Sequence, residues 1–165
     1  MCLPDFVEFK RVKKSEPIVG YRVWIVSIKD TLQLMSEAKE YVWQPSVGRH
    51  KVLESNSGIY AYNNNYDYYN NYNNNYDYYD NNNYDNNNYY YYIRGVIHQY
   101  GKVAIHQVGQ RSEYAKIVTL FTIRESDARG PKEFLDWIRI FNQKVIGLAK
   151  MYKCNTIHYQ DFVER

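Results

Sequence analysis

Residues 62–92 are built from only three residue types, and this tract limits how much of the chain can form a hydrophobic core. The tract holds thirteen Tyr, fourteen Asn and four Asp out of the 165 residues of the chain. Asn and Asp favour turns, and without aliphatic side chains to bury the segment cannot offset its own conformational entropy. We therefore predict that 62–92 is a disordered insertion in a globular domain formed by 18–61 and 93–165, after an N-terminal arm at 1–17.

The composition of the tract also indicates how it arose and raises a second role for it. The codons AAT, TAT and GAT, for Asn, Tyr and Asp, differ only at the first base, so an expanding repeat in an AT-rich genome writes this run without selection. Such a genome is typical of a protist or of a large DNA virus. Because mixed Tyr and Asn also resemble prion-like sequences, the alternative is that the tract drives self-assembly, for example within a virion.

The residues outside the tract carry the positive charge. The formal net charge of the whole chain is +3, and the tract contributes four Asp and no basic residue, so the remainder is at +7. A basic domain attracts acidic proteins or nucleic acid. Charge therefore favours an acidic protein partner or nucleic acid.

Cysteine usage and hydropathy bear on location and on metal binding. Cys2 and Cys154 lie far apart and neither belongs to a CxxC pair, which argues against a structural zinc site. The first residues lack a signal-peptide pattern, and no run of about eighteen apolar residues occurs. We therefore predict a cytoplasmic or otherwise intracellular protein that spans no membrane and binds no metal or cofactor. The oligomeric state is left open.

The flanks contain strand patterns and one helix pattern. β-branched and aromatic residues at 18–28 predict a central strand, and Gly101 within 93–106 predicts a bend that curls the sheet. Apolar residues spaced by three and four over 131–152 predict an amphipathic helix. The predicted fold class is α+β: a curved antiparallel sheet or partly open β-barrel with one long C-terminal amphipathic helix. The other predicted elements are strands at 57–62 and 114–123, a helix or hairpin left open at 29–43, and a last strand or tail at 155–165.

One dense polar cluster surrounds the turn at Gly109. His106 precedes the turn, and Arg111, Glu113 and Tyr114 follow it, so a hairpin would bring a base, a cation and a carboxylate within side-chain reach. Such a set can bind an anion, or can place a general base beside a cationic group. The alternative is a cross-strand ion pair and hydrogen-bond set that fixes the strand register.

Two aromatic residues extend this candidate site. Trp43 stands close to Pro45 in a loop pattern and is predicted to be exposed at the rim, and Tyr100 is a candidate for stacking on a ligand. His98 shares a strand pattern with His106, but two histidines without a third ligand do not make a metal site. No nucleotide-binding or hydrolase motif occurs in the sequence.

The flanks contain YRVW (21–24), W-x-P (43–45), GIYA (58–61) and G-K-V-x-x-H-x-x-G-x-R-S-E-Y-A (101–115). Together these motifs resemble a family of small uncharacterised proteins of bacteria and large DNA viruses. The family pattern is approximately YRVW, W-x-P, C-G-[IV]-Y-A and G-x-V-x-L-W-G-x-V-x-x-H-x-x-G-x-R-A-E-Y-A. Ser57 stands where the family has Cys, and Tyr100 where it has Trp. The resemblance implies that the tract is inserted where the family has a shorter, variable loop, and since the family has no established activity, it implies no function. The matching positions are Tyr21 to Trp24, Trp43, Pro45, Gly58 to Ala61, Gly95, Val96, Gly101, Val103, His106, Gly109, Arg111 and Glu113 to Ala115.

These observations favour a non-catalytic binding or interaction module for an acidic partner protein or nucleic acid. The first alternative is a small enzyme acting on an anionic substrate, with His106 as the general base and Arg111 as the anion clamp. The second alternative is a structural protein that assembles through the Tyr/Asn tract. The predicted binding residues are His106, Arg111, Glu113, Tyr114 and Tyr100, with Trp43 at the rim.

Overall fold

The structure is a computed structural model that describes residues 5–27, 33–36, 42–45, 48–52, 57–63, 90–127 and 132–163. Most of the tract (64–89), Cys2 and Pro131, the first residue of the predicted helix, lie outside these ranges. The predictions made for those residues stay predictions.

A mostly antiparallel sheet followed by a C-terminal helix confirms the α+β class. Helix α1, Lys132–Tyr152, is the predicted amphipathic helix and has 21 residues. A 3₁₀ turn at Glu125–Asp127 precedes it, and a second, short helix α2 covers Tyr159–Val163. The strands are β1 (Phe6–Val12), β2 (Ile18–Ser27), β3 (Leu34–Met35), β4 (Val42–Trp43), β5 (Ile59–Tyr62), β6 (Tyr90–His106), β7 (Gly109–Thr122) and β8 (Asn155–His158).

The strands form one sheet in the order β1–β6–β7–β5–β2–β3–β4. β6 also pairs with β2, and β8 lies parallel beside β7, with Thr119 opposite Asn155. The parallel pair follows from the crossover through α1, since parallel neighbours need a long connection. The sheet is curved, as predicted, and Gly101 within β6 has a φ of +86°, a conformation that glycine adopts readily. The described strands do not close into a barrel.

Strand β1 lies in the predicted N-terminal arm and was missed by the sequence analysis. Its residues are nearly all exposed, so it carries no buried apolar face that an alternating pattern would reveal. Backbone pairing with β6 holds it in place, from Phe6 opposite His106 to Val12 opposite Gly101. Among the described strands β1 has a single neighbour, which makes it an edge strand.

Two other segments are now assigned. Within 29–43, the described strands form an antiparallel pair, with Leu34 opposite Trp43 and Met35 opposite Val42, which matches the hairpin alternative. Residues 29–32 and 37–41 lie outside the described ranges. Strand β7 begins at Gly109, earlier than the predicted start at Tyr114, because β6 and β7 are joined by a connection of only two residues. The cluster residues after the turn therefore lie within a strand.

The chain divides into two compact units. The first unit contains β1, β5 and the end of the β6–β7 hairpin, and the second contains β3, β4, β8 and both helices. The first unit consists of 1–22, 46–72 and 95–118, and the second of 23–45, 73–94 and 119–165.

In the second unit, the end of α1 is tied to the short β3–β4 hairpin. The Tyr152 hydroxyl donates a hydrogen bond to the Trp43 carbonyl and accepts one from the Leu34 backbone N–H. The ring of Trp43 stands edge-on to Trp24 at a centroid distance of 5.3 Å. The prediction that Trp43 is exposed is wrong, because these contacts leave the residue only 1% exposed. The apolar stripe predicted for this helix is buried, and Ala149 is buried beside it: the stripe is Phe134, Ile138, Phe141, Val145, Leu148 and Tyr152.

One end of the Tyr/Asn/Asp tract belongs to the core of the second unit. Tyr91 in β6 is buried, and its ring packs against Trp137 and Phe141 of α1 at centroid distances of 5.7 and 5.6 Å. At the other end, Tyr62 lies in β5 opposite Tyr21. The insertion is therefore narrower than predicted at both ends, since these tyrosines are strand residues.

Replacing Tyr91 by Ala is expected to lower the free energy of unfolding by about 3 kcal/mol, because a buried aromatic side chain and its packing are lost. Urea unfolding followed by circular dichroism measures the change. Tyr78→Ala, in the part of the tract predicted to be an insertion, is the matched control and is expected to leave the midpoint unchanged. Equal losses in the two variants would contradict the assignment of Tyr91 to the core.

Candidate functional site

The β6–β7 hairpin brings three predicted site residues together inside the first unit. His106 ends β6, and Arg111 and Glu113 lie in β7. The structure buries all three, with exposed fractions of 5% for His106, 1% for Arg111 and 6% for Glu113. Buried polar side chains need partners, so their hydrogen bonds decide what they can do.

Arg111 is bonded to His106 and to the chain before β5. Its Nε–H donates to His106 Nε2 at 3.0 Å, and its NH1 group donates to the Ser57 carbonyl at 2.7 Å. Because Nε2 accepts this bond, the neutral imidazole carries its proton on Nδ1. The lone pair that a general base would use is therefore engaged by a cation, and the pair acts as a strand-to-strand tie.

Glu113 supplies a negative charge within the hairpin, and both of its carboxylate oxygens accept hydrogen bonds. Its Oε1 accepts a hydrogen bond from the Lys102 backbone N–H at 2.9 Å, and its Oε2 accepts one from Arg49 Nε at 2.6 Å. The Lys102 N–H lowers the pKa of the carboxyl below its ordinary value; burial opposes this, and the positive charges of Arg49 and Arg11 add to the lowering. Glu113 is therefore ionised at neutral pH.

The bend at Gly101 and the position of Glu113 depend on each other. A Cβ at residue 101 would lie 2.8 Å from Glu113 Oε1 and 2.7 Å from a ring carbon of Tyr114. The positive φ of this residue would also be strained in any other residue type. Glycine is thus required where β6 passes the carboxylate.

On the opposite face of β7, buried amides join three strands. Gln99 Nε2 donates to Ser112 Oγ at 3.0 Å and to the Ile59 carbonyl at 2.9 Å, and Gln110 Nε2 donates to Gln99 Oε1 at 2.6 Å. This network was not predicted, although Gln99 stands out as a polar residue in an apolar strand. Its hydrogen bonds hold β5, β6 and β7 in register.

Basic side chains lie beside Glu113 and along the neighbouring β1–β6 pair. Arg49 is 70% exposed beyond its ion pair, and Arg11 lies opposite Lys102 in the β1–β6 pairing. Lys14 Nζ lies 5.6 Å from the Tyr100 ring centroid, and that ring stacks on Tyr114 at 5.2 Å. We define the Gly101 surface as Arg11, Lys14, Arg49, Lys102, Tyr100 and Tyr114.

Positive charge is concentrated in the first unit. Its described residues include ten Lys and Arg against four Asp and Glu, whereas those of the second include seven against five. Burial lowers the pKa of His50 and of His98, and the nearby cations Arg22 and Lys116, respectively, add to the effect. The runs KRVKK (10–14) and GRHK (48–51) are the sequence signals of this surface. The pairing of β1 with β6 brings the first run beside Lys102, and hydrogen bonds from Arg49 and from the His50 backbone N–H to Glu113 hold the second.

The predicted site residues therefore separate into three groups. His106, Arg111 and Glu113 meet as predicted but are buried and bonded. Tyr100 and Tyr114 stack beside them and are half-buried. Trp43 belongs to the second unit and is buried there.

Other kinds of site find little support in the described part of the chain. No group of three or more His, Cys, Asp or Glu is placed to hold a metal within the residues the structure describes. A cavity in the second unit, lined by Arg94 and Tyr159 among others, has a volume of about 10 Å³, room for about one water molecule. Among the described helices, none is long and apolar enough to cross a membrane.

Comparison with known proteins does not assign the chain to a family. No family model matches the chain, and neither a curated protein nor a solved structure matches it significantly. The resemblance to small proteins of bacteria and large DNA viruses stays a prediction.

Replacing Glu113 by Gln is expected to destabilise the fold in a pH-dependent way. The pKa of Glu113 is lower in the folded protein, so its ionised form stabilises the fold above the unfolded pKa of about 4.3, and this contribution is lost as the pH falls through the folded pKa. Urea unfolding should show a loss of about 1–3 kcal/mol at pH 7 that shrinks toward pH 3. The exposed Glu16→Gln is the control; a loss for Glu113→Gln that is the same at both pH values would contradict the assignment.

Proposed function

We propose that this protein is a non-catalytic binding module that holds a polyanionic partner on the Gly101 surface. The observation that carries the proposal is that Arg49 and Arg11 act on the buried carboxylate of Glu113, with Lys102 opposite Arg11 in the β1–β6 pairing. Lys14 lies over the ring of Tyr100, which stacks on Tyr114. The described residues of this unit carry ten Lys and Arg against four Asp and Glu, so its cations outnumber its carboxylates. A surface of this kind attracts a partner that supplies several negative charges.

The cross-strand pairing supports a binding role over a purely structural one. Arg11 and Lys102 are direct neighbours across β1 and β6, and like charges at such positions destabilise a sheet. Within the described residues, Lys14 and Lys102 contact aromatic rings and form no ion pair. The arrangement therefore costs folding stability, and a bound polyanion would offset that cost.

The enzyme alternative has less support. The proposed base, His106, accepts a hydrogen bond from the proposed clamp, Arg111, and both are buried. A substrate would have to break this bond before either group could act. The cluster instead supports the hairpin that carries the Gly101 surface. An intracellular location, a partly open barrel and an AT-rich viral or protist source stay predictions.

Heparin, a polyanion without bases, tests the proposal on the full chain. The double variant Arg11→Gln/Lys14→Gln is expected to bind labelled heparin more weakly and to reduce the slope of log affinity against log salt by roughly 1.5 to 2, following the counterion-release relation. Lys132→Gln/Lys150→Gln removes the same charge from exposed positions of the second unit and is the matched control. Equal weakening by the two double variants would refute a localised surface, and absence of salt-dependent binding by the wild type would refute the function.

A further inference from the structure

Aromatic side chains lie beside the cations of the Gly101 surface, and they indicate which kind of polyanion binds there. We infer that the ligand is a single-stranded nucleic acid whose bases stack on rings of β1 and β6. This inference rests on the proposed function. It adds the requirement that the partner present flat, unpaired bases as well as negative charge.

Among the described aromatic residues, the most exposed ring is that of Phe6, the first residue of the edge strand β1. It is 47% exposed, yet it is oriented by two neighbouring rings, with centroid distances of 5.0 Å to Phe9 and 5.6 Å to His106. His106 is itself held by Arg111. The buried cluster thus acts as a support that orients an exposed ring, which lowers the entropy cost of stacking a ligand on it.

Rings and cations are interleaved along the two paired strands. Lys102 Nζ lies 4.4 Å from the Phe9 ring centroid, and Lys14 Nζ lies 5.6 Å from that of Tyr100. The pairing of β1 with β6 runs from Phe6 at one end to the Gly101 bend at the other, about 20 Å at the rise of a strand. A strand of nucleic acid laid along this path would meet rings and positive charges in turn.

This combination distinguishes a single strand from the other polyanions. Proteins that bind single strands combine a positive path for the backbone with aromatic side chains on which bases stack, often on the face of a sheet. In a duplex the bases already stack on each other, so exposed rings gain no partner. Acidic proteins and heparin can pair with the cations, but they present no unpaired bases to stack on Phe6 or Tyr100.

Three labelled probes of similar length test the inference on the full chain: oligo-dT, a DNA duplex and heparin. Charge alone favours the duplex, because its charge density is higher. We expect the wild type to bind oligo-dT more tightly than the duplex. We also expect Phe6→Leu and Tyr100→Leu, which keep apolar bulk but remove a ring, to weaken oligo-dT binding at least about fivefold while heparin binding is unchanged.

Val7→Ala, at an exposed apolar position of the same strand, is the matched control and is expected to bind oligo-dT as the wild type does. The comparison of oligo-dT with duplex binding uses only the wild type, so it tests the inference even if a ring variant unfolds. Duplex binding as tight as oligo-dT binding, or ring variants that weaken heparin and oligo-dT alike, would overturn the inference and leave the proposed function intact. If the wild type binds none of the three probes, both fail.

Discussion

The carboxylate of Glu113 is the interaction on which the geometry of the first unit depends. One oxygen is bonded to the Lys102 backbone N–H and the other to Arg49, so the carboxylate joins β7, β6 and the segment before β5. It occupies the space that a Cβ at Gly101 would need, which links the bend of β6 to the same point. It also offsets part of the repulsion between Arg11 and the neighbouring cations. The bend, the hairpin and the basic surface therefore all meet at this one carboxylate.

Local patterns predicted the elements whose apolar residues recur at a regular spacing. Strand β2, strand β5 and helix α1 belong to this group, because each buries one or both faces that its own sequence displays. The polar cluster could also be predicted, since a tight hairpin places His106, Arg111 and Glu113 close together whatever the rest of the chain does. Its burial could not, because that depends on residues far away in sequence, such as Ser57 and Arg49.

The features that were predicted wrongly, or not at all, also depend on contacts between distant parts of the chain. Strand β1 is exposed and is held by backbone hydrogen bonds, which any sequence can make, so its side chains carried no signal. Trp43 sits in a loop-like context, but its burial comes from Trp24 and from Tyr152, more than a hundred residues away. The basic surface was predicted only as total charge, because its position depends on the pairing of β1 with β6 and on the ion pair of Arg49 with Glu113.

The burial of Tyr91 has a consequence for how the gene can vary. The tract is predicted to have arisen as an expanding repeat, and replication slippage adds or removes codons in such repeats. Residues 89–92 are all Tyr, so the loss or gain of one codon within that run still leaves Tyr two positions before Ile93, where the core requires it. The run of four Tyr residues thus keeps a Tyr at the buried position of β6 when one of its codons is gained or lost.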